Sequence, residues 1–367
     1  MLQLALLHAK LQGRRPRIAA GRNAHRVFLA GAALLDLEIR WLGAGQELLS
    51  CRILPEELEA LFMDVQTAPT AVYVTSPDYL GNCADLAALA AVCHRHGALL
   101  LVDNAHGAYL RFLSPSRHPL DLGADLCCDS AHKTLPVLTG GAYLHLSRSC
   151  PEKLLPMAEQ ALALFASTSP SYLILQSLDA VNPLLAGEYP GRILQTMERL
   201  DACKAELVKA GWMLDGQEPM KLTLLPKARG YTGEDLAAIL ESRGIFCEFA
   251  DPDHLVFMVS PESTAEDLDS LQAILASLPP RTAIPDTPPS PPVPHPVLSV
   301  RDALLSPFET VPVEESLGRI LASPSVGCPP AVPILVCGER IGPEAQALFR
   351  YYRIDTVDVV MESRETP

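Results

Sequence analysis

The chain has 367 residues, with 29 Lys and Arg against 43 Asp and Glu, so its formal net charge is −14. This length allows two or three domains of ordinary size. The acidic balance excludes an extended groove for a nucleic-acid backbone, which needs clustered basic residues. Hydrophobic residues make up 49% and charged residues 20%, a composition typical of a folded globular protein.

The chain begins with the apolar segment MLQLALLHAK. It has no basic residues before it and no small-residue cleavage site after it, so it predicts a helix rather than a signal peptide. Asp36 and Glu38 interrupt the longest apolar run, which falls short of the roughly 18 residues that cross a bilayer. The ten cysteines form no CxxC pair, which indicates reduced thiols in a cytoplasmic protein without a zinc knuckle. We expect no membrane partner and no metal.

The middle of the chain alternates between strand and helix patterns. AVYVTS from Ala71 is strand-like, the pattern from Asp85 is helical and closes at Gly97, and ALLLVD from Ala98 is strand-like again. A continuous apolar run such as 99–102 is typical of a strand that helices cover on both faces. The alternation predicts an α/β domain with a mostly parallel sheet.

A long helical pattern runs from about 189 to 210, and short strand-like and helical segments follow it. They include the strand-like segments MKLTLLP, IFCEFA and HLVFMVS, and then a helix with a capping-box candidate in Ser263, Thr264 and Glu266. This order predicts a small α+β layer. Nine prolines between Pro279 and Pro296 then predict an extended linker. The predicted domains are 1–185 (large), 186–280 (small α+β), 281–296 (linker) and 297–367 (C-terminal).

Ionisable residues cluster at the ends of two predicted strands, where open α/β sheets bind ligands. They lie in the segments VDNAH and DSAHKT and are Asp103, His106, Asp129, Ser130, His132 and Lys133. A pyridoxal phosphate enzyme needs such a set: a lysine for the aldehyde, a carboxylate that keeps the pyridine nitrogen protonated, and hydroxyls for the phosphate. Spacing alone is a weak indication, because a lone lysine after a strand is usually just solvated.

Six segments in order resemble the Orn/Lys/Arg decarboxylase family of pyridoxal phosphate enzymes. The six segments are RNAHRVFLAGAALLDLEIRWL, AVYVTSPDYLGNCADLAALAAVCHRHGALLLVDNAHGAY, DSAHKTLPVLTGGAYLH, STSPSYLILQSLD, MKLTLLPKARGYTGEDLAAILESRGIFCEFAD and VPVEESLGRILASPSVGCPPAVPILVCGERI. The resemblance implies an aspartate-aminotransferase-like fold of type I with a C-terminal decarboxylase-family module, and pyridoxal 5'-phosphate as cofactor.

The resemblance also implies roles for particular residues. Lys133 matches the lysine that binds the cofactor covalently, and Asp103 matches the carboxylate at the pyridine nitrogen. His25 matches the imidazole that stacks on the cofactor ring. Ser130 and His132 match residues beside the lysine that contact the cofactor phosphate or the substrate.

Two further residues and three alternatives complete this set. His106 is an active-site neighbour or a histidine packed against the sheet, and Thr168 resembles a hydroxyl that reaches the cofactor of a neighbouring subunit, which implies a homodimer with shared sites. His25 could instead cap a helix. For Asp129, helix capping is the preferred interpretation.

The family has an N-terminal segment and a phosphate-binding turn before the helix that corresponds to MLQLALLHAK. This chain starts within that helix, so the resemblance implies an N-terminally truncated member that holds pyridoxal phosphate weakly. The predicted reaction is α-decarboxylation of a basic amino acid, arginine first and then lysine or ornithine. The alternatives are another fold type I reaction, such as transamination, or a non-catalytic subunit.

Overall fold

The computed structural model describes residues 1–43, 48, 50–326 and 331–362. Within these ranges the central sheet has six strands in the order β2-β1-β3-β4-β5-β6, and only the β5–β6 pair is antiparallel. The strands are β1 (Arg17–Gly21), β2 (Glu38–Leu42), β3 (Ala71–Thr75), β4 (Leu99–Asp103), β5 (Leu126–Asp129) and β6 (Tyr143–Leu146). The predicted mostly parallel α/β sheet is therefore confirmed.

Helices connect these strands and continue beyond them. They are α1 (Leu2–Leu11), α2 (Arg26–Leu35), α3 (Pro55–Phe62), α4 (Leu86–Arg95), α5 (Ala131–Thr134), α6 (Ala158–Phe165), α7 (Tyr172–Ala180), α8 (Asn182–Ala186) and α9 (Tyr189–Lys209). α1 is the helix predicted for the N-terminal segment. α4 lies where the helical pattern from Asp85 predicted it. The Asp85 carboxylate caps it by accepting a hydrogen bond from the Ala88 N–H, and Gly97 follows it with φ +65°.

The sheet is buried on both faces because its strands supply side chains to two cores. In β4, Leu99 and Leu101 pack into a core with α1 and α2, while Leu100 and Val102 pack into a core with α3 and α4. Successive strand residues point to opposite faces. A run that is apolar at every position therefore fits a strand between two helical layers, as predicted.

A smaller antiparallel sheet lies C-terminal to α9 and has the order β7-β8-β10-β9. Its strands are β7 (Leu214–Asp215), β8 (Lys221–Leu224), β9 (Phe249–Ala250) and β10 (Leu255–Met258), and its helices are α10 (Gly233–Glu241) and α11 (Ala265–Ser277). α11 does begin with a capping box, but the partner of Thr264 is Asp267 and not the predicted Glu266. The third residue after the N-cap is the one whose side chain reaches back to the N-cap N–H.

Residues 279–295 contain no helix or strand, and a last segment follows them. It contains α12 (Val300–Leu304), β11 (Phe308–Pro312), β12 (Ser325–Val326), β13 (Leu335–Val336), α13 (Pro343–Tyr351) and β14 (Thr356–Val360). β11 pairs with β14 and β12 with β13, both antiparallel, around a core that includes Leu321, Phe349 and Val359. The domain limits and the linker remain predictions.

None of the described helices combines the length and apolar character needed to span a membrane. Nine cysteines fall within the described residues, and all nine are free thiols. Burial raises the pKa of several of these thiols, to about 12 for Cys93 and Cys337.

Candidate active site

A cavity of about 480 Å³ opens at the carboxyl ends of the central strands. Such a volume suits a small organic ligand. Its walls come from five segments of the chain: 23–27, 75–79, 103–106, 130–133, and a C-terminal contribution from 325 and 331–333. The position agrees with the rule that open α/β sheets bind ligands beyond the carboxyl ends of their strands.

Lys133 reaches this cavity from the single turn α5, which begins after Ser130. The Lys133 Nζ lies 3.0 Å from Nε2 of His106, which follows β4. His106 is buried, and burial together with neighbouring positive charge holds the pKa of its ring well below the usual range. The Ser130 hydroxyl makes no cap hydrogen bond and lines the cavity. Lysine, imidazole and hydroxyl thus meet in one place.

Asp103 ends β4 and presents its carboxylate to the same cavity. The Tyr73 hydroxyl donates to Oδ2 at 2.7 Å, and the Ala105 N–H donates to Oδ1 at 3.2 Å. Burial, and then the Asp103 charge, raise the pKa of Tyr73 well above its usual range, so the hydroxyl stays protonated and keeps donating. These two donors hold the carboxylate in a fixed orientation.

His25 also lines the cavity, at the N-terminus of α2. Its Nδ1 accepts from the Val27 N–H at 3.3 Å, so the helix-capping contact is present. Partial burial, and then the charges of Lys133 and Arg26, lower the pKa of His25, while Asp103 acts against them. His25 thus lines the same cavity as the carboxylate and the lysine.

Two of the predicted site residues lie outside the lining of this cavity. His132 points its Nδ1 to the Gly141 carbonyl oxygen at 2.9 Å. Thr168 is exposed in the connection between α6 and α7. The proposed contacts of both residues with cofactor, substrate or a second subunit stay predictions.

The predicted helix-capping role of Asp129 is wrong. The N-cap of α5 is Ser130, and the Asp129 carboxylate instead points into the large domain. It is buried and accepts hydrogen bonds from Asn104 Nδ2 at 2.8 Å, His118 Nε2 at 3.1 Å and His145 Nε2 at 2.9 Å. Hydrogen bonds from the two imidazoles lower its pKa against the effect of burial.

This triad of Asp129, His118 and His145 brings its ligand atoms within 4.8 Å of one another, a geometry that could hold a metal ion. The hydrogen bonds fit a proton-holding cluster better. His118 Nδ1 accepts from the Leu120 N–H at 3.3 Å, which leaves the ring proton on Nε2, where it is donated to Asp129. A metal on Nε2 would require that proton on Nδ1 instead.

Sequence reasoning missed two contributors to the site. Lys221, at the start of β8, is buried and places its Nζ 2.8 Å from Nδ1 of His106. Arg22 donates to both oxygens of Glu339 at 2.6 Å, and this buried pair fixes the C-terminal segment against the cavity. Neither contact has a local sequence signal, because each joins distant parts of the chain.

Two protein-family models match parts of this chain. The Orn/Lys/Arg decarboxylase major domain matches residues 49–224, and the Orn/Lys/Arg decarboxylase C-terminal domain matches residues 289–357. The fold and the cavity define a fold type I protein with a lysine and a carboxylate at the sheet edge. The chain belongs to the Orn/Lys/Arg decarboxylase family. Members of this family are pyridoxal phosphate-dependent decarboxylases, in agreement with the predicted enzyme class and cofactor.

Similar curated proteins come from bacteria. The uncharacterized protein YaaO of Bacillus subtilis is 36% identical over 77% of this chain and 62% of its own length, and the arginine decarboxylase of Bacillus subtilis is 29% identical over 74% and 59%. The chain thus spans about three fifths of the length of these relatives. Among solved structures, lysine decarboxylase A from Pseudomonas aeruginosa has a TM-score of 0.77 at 16% identity, covering 98% of this chain and 68% of its own. That likeness shows the fold.

The cavity chemistry fits pyridoxal phosphate. Lys133 could bind an aldehyde, Asp103 could accept from a ring N–H, and His25 offers a flat ring in the same cavity. Two polar atoms of the wall, Thr75 Oγ1 and Asn23 Oδ1, find no hydrogen-bond partner among the described residues. Buried polar atoms are normally paired, so this wall is suited to a polar ligand.

Proposed function

We propose that the chain catalyses the α-decarboxylation of a basic amino acid, with arginine as the first candidate substrate and lysine or ornithine next. The observation that carries the proposal is the meeting of Lys133, Asp103 and His25 around one cavity at the carboxyl edge of the sheet. Family membership and the arginine decarboxylases among the relatives support the choice of reaction and substrate.

When bound, pyridoxal phosphate supplies an aldehyde and an electron-accepting ring. Lys133 would hold the aldehyde through its amine. Asp103, held by Tyr73 and the Ala105 N–H, keeps a proton on the pyridine nitrogen. His25 would limit the tilt of the ring, and the Ser130 hydroxyl would donate to the ligand.

The reaction is tested by incubating the chain with pyridoxal phosphate and arginine, lysine or ornithine in turn. Mass spectrometry should detect agmatine, cadaverine or putrescine, with release of CO₂. Lys133→Ala is the catalytic control, and Lys153→Ala, on an exposed lysine, is the matched neutral control. Keto-acid products without amines would contradict decarboxylation and favour transamination.

The C-terminal segment supports decarboxylation over transamination. Ser325, Ala331, Val332 and Pro333 form part of the cavity wall, so this module contributes directly to the ligand site. It is the part of the chain that matches the decarboxylase C-terminal domain. The acidic net charge is compatible with a cationic substrate.

A homodimer is part of the proposal. Several large apolar side chains in the segment around Thr168 are exposed: Leu155, Leu162, Leu164, Phe165, Tyr172, Leu173 and Leu175. Contiguous exposed apolar surface is typical of an interaction site. Leu173→Asp should shift the chain from dimer to monomer in analytical ultracentrifugation, and a parent chain that sediments as a monomer would contradict the dimer.

We further propose that the protein works in the cytoplasm. All nine described cysteines are free thiols, and free thiols persist in reducing compartments. Fractionation of the cells that make it should place the protein with the cytoplasmic marker enzymes. Recovery with a membrane or secreted fraction would contradict this location.

A further inference from the structure

A second lysine, Lys221, contacts the same imidazole as Lys133. Lys221 begins β8 of the small sheet and is only 4% exposed. Its Nζ lies 2.7 Å from the Asp78 carbonyl oxygen, 3.2 Å from the Tyr79 carbonyl oxygen and 2.8 Å from Nδ1 of His106. The other ring nitrogen, Nε2, lies 3.0 Å from Nζ of Lys133. His106 therefore lies between two amines, one from the helical turn α5 and one from the small sheet.

The imidazole limits how these two lysines can be protonated. Burial, and then the positive charge of Lys221, hold the pKa of His106 well below its usual range, so the ring is neutral at pH 7. A neutral imidazole has one N–H and one acceptor nitrogen. It accepts from one lysine and donates to the other, whose nitrogen then needs a free lone pair. One of the two lysines is therefore an uncharged amine.

The hydrogen-bond acceptors around Lys221 fit the charged form at that position. Two carbonyl oxygens and Nδ1 of His106 surround its Nζ, and these three acceptors match the three N–H groups of an ammonium. Burial lowers the pKa of Lys221, but nearby carboxyl groups act against that effect: Glu218, Asp78 and Glu248. The ammonium therefore has both hydrogen-bond acceptors and negative charge around it.

We propose that Lys221 is a positioning residue that fixes the proton of His106 on Nε2 and thereby presents Lys133 as an uncharged amine. The ammonium of Lys221 donates to Nδ1, and the Nε2–H donates to the lone pair of Lys133. A lysine close to a second cation is a known arrangement for a nucleophilic amine. The use of this amine rests on the proposed function, whereas the proton positions do not.

The tautomer of His106 is the direct test. The 367-residue chain is labelled with ¹⁵N-histidine and studied by NMR at pH 7 without cofactor, and His106→Gln identifies the ring signals. We expect the shifts of a neutral ring with the proton on Nε2. The shifts of the Nδ1–H tautomer would overturn the proposal, because the ring would then donate to Lys221 and accept from Lys133. The shifts of a charged ring would overturn it as well, because Nδ1 could then not accept from Lys221.

The reactivity of Lys133 is an independent test. Under trace acetylation with acetic anhydride at pH 7, Lys133 should react faster than the exposed Lys153, and Lys221→Met should slow Lys133 roughly tenfold while leaving Lys153 unchanged. Lys153→Met is the matched control and should leave the Lys133 rate unchanged.

Equal acetylation rates of Lys133 in the parent and in a folded Lys221→Met chain would contradict the proposal. If that variant does not fold, the His106 tautomer in the parent chain decides. Absence of pyridoxal phosphate from Lys133 after borohydride reduction would refute the proposed function and would leave both of these results unaffected.

Discussion

Replacing Glu339 should loosen the wall that the C-terminal segment adds to the cavity. The Glu339 carboxylate accepts hydrogen bonds from both terminal nitrogens of Arg22, each at 2.6 Å, and from the Val336 N–H at 3.0 Å. The two charged side chains are only 4% and 2% exposed. Arg22 lies three positions before His25, and Glu339 lies close in sequence to the wall residues 331–333. The ion pair therefore ties two sides of the site together.

The magnitude follows from the burial of this pair. Removing one partner leaves the other charge buried without a counter-charge, which typically costs about 3 to 5 kcal/mol. The Arg22 guanidinium also lies over Trp41, 5.3 Å from the ring centre, and such a contact contributes about 0.5 to 1 kcal/mol. Replacing both charges by apolar residues of similar size is often nearly neutral. The Arg22→Met, Glu339→Leu double variant should therefore be more stable than either single variant.

Urea unfolding of the parent, both single variants and the double variant measures this coupling. Fluorescence of Trp41 in a Trp212→Phe background reports the transition of the large domain. We expect Glu339→Leu to lower its free energy of unfolding by about 3 to 5 kcal/mol and the double variant to recover at least half of that loss. A double variant that loses the sum of the two single losses would refute the coupling.

Two further variants test the residues at the strand ends. Asp103→Asn should retain cofactor but lower kcat/KM by roughly 30- to 900-fold, or about 2 to 4 kcal/mol, because the pyridine nitrogen loses its negative partner; turnover equal to the parent would contradict its role. Asp129→Asn should lower stability at pH 7 by about 2 to 3 kcal/mol, because hydrogen bonds to a charged group are lost. Since the folded-state pKa of Asp129 lies below the ordinary value, its contribution is full above about pH 4 and is lost as pH falls further. Urea midpoints should therefore converge in acid, and a gap that stays constant down to pH 2 would contradict this cause.

Much of the fold could be predicted because its signals are local. β3, α4 and β4 lie where the alternation of apolar runs and helical spacing predicted them. The local signal was less accurate at short elements. IFCEFA was predicted as a strand, but only Phe249–Ala250 pairs, and the capping box of α11 uses Asp267 rather than Glu266. At such positions one residue of offset decides which side chain reaches which backbone group.

The site was predictable to the extent that its residues follow strands. Asp103 is the last residue of β4, and Ser130 and Lys133 follow β5, so one sheet edge brings them together. The contacts that complete the site join residues far apart in the chain. Lys221 and His106 are 115 positions apart, and Arg22 and Glu339 are 317 positions apart. Pairs of this kind depend on how separate sheets and segments pack, which no local pattern contains.

The most direct test of the proposed site asks which lysine binds pyridoxal phosphate. The chain is incubated with saturating cofactor, reduced with sodium borohydride, digested and analysed by mass spectrometry. We expect the reduced cofactor on Lys133 in preference to the other six lysines. Before reduction we expect an absorbance band at about 400 nm that Lys133→Ala loses and Lys153→Ala keeps. Label on Lys221, or spread evenly over the surface lysines with Lys133 unlabelled, would contradict the assignment.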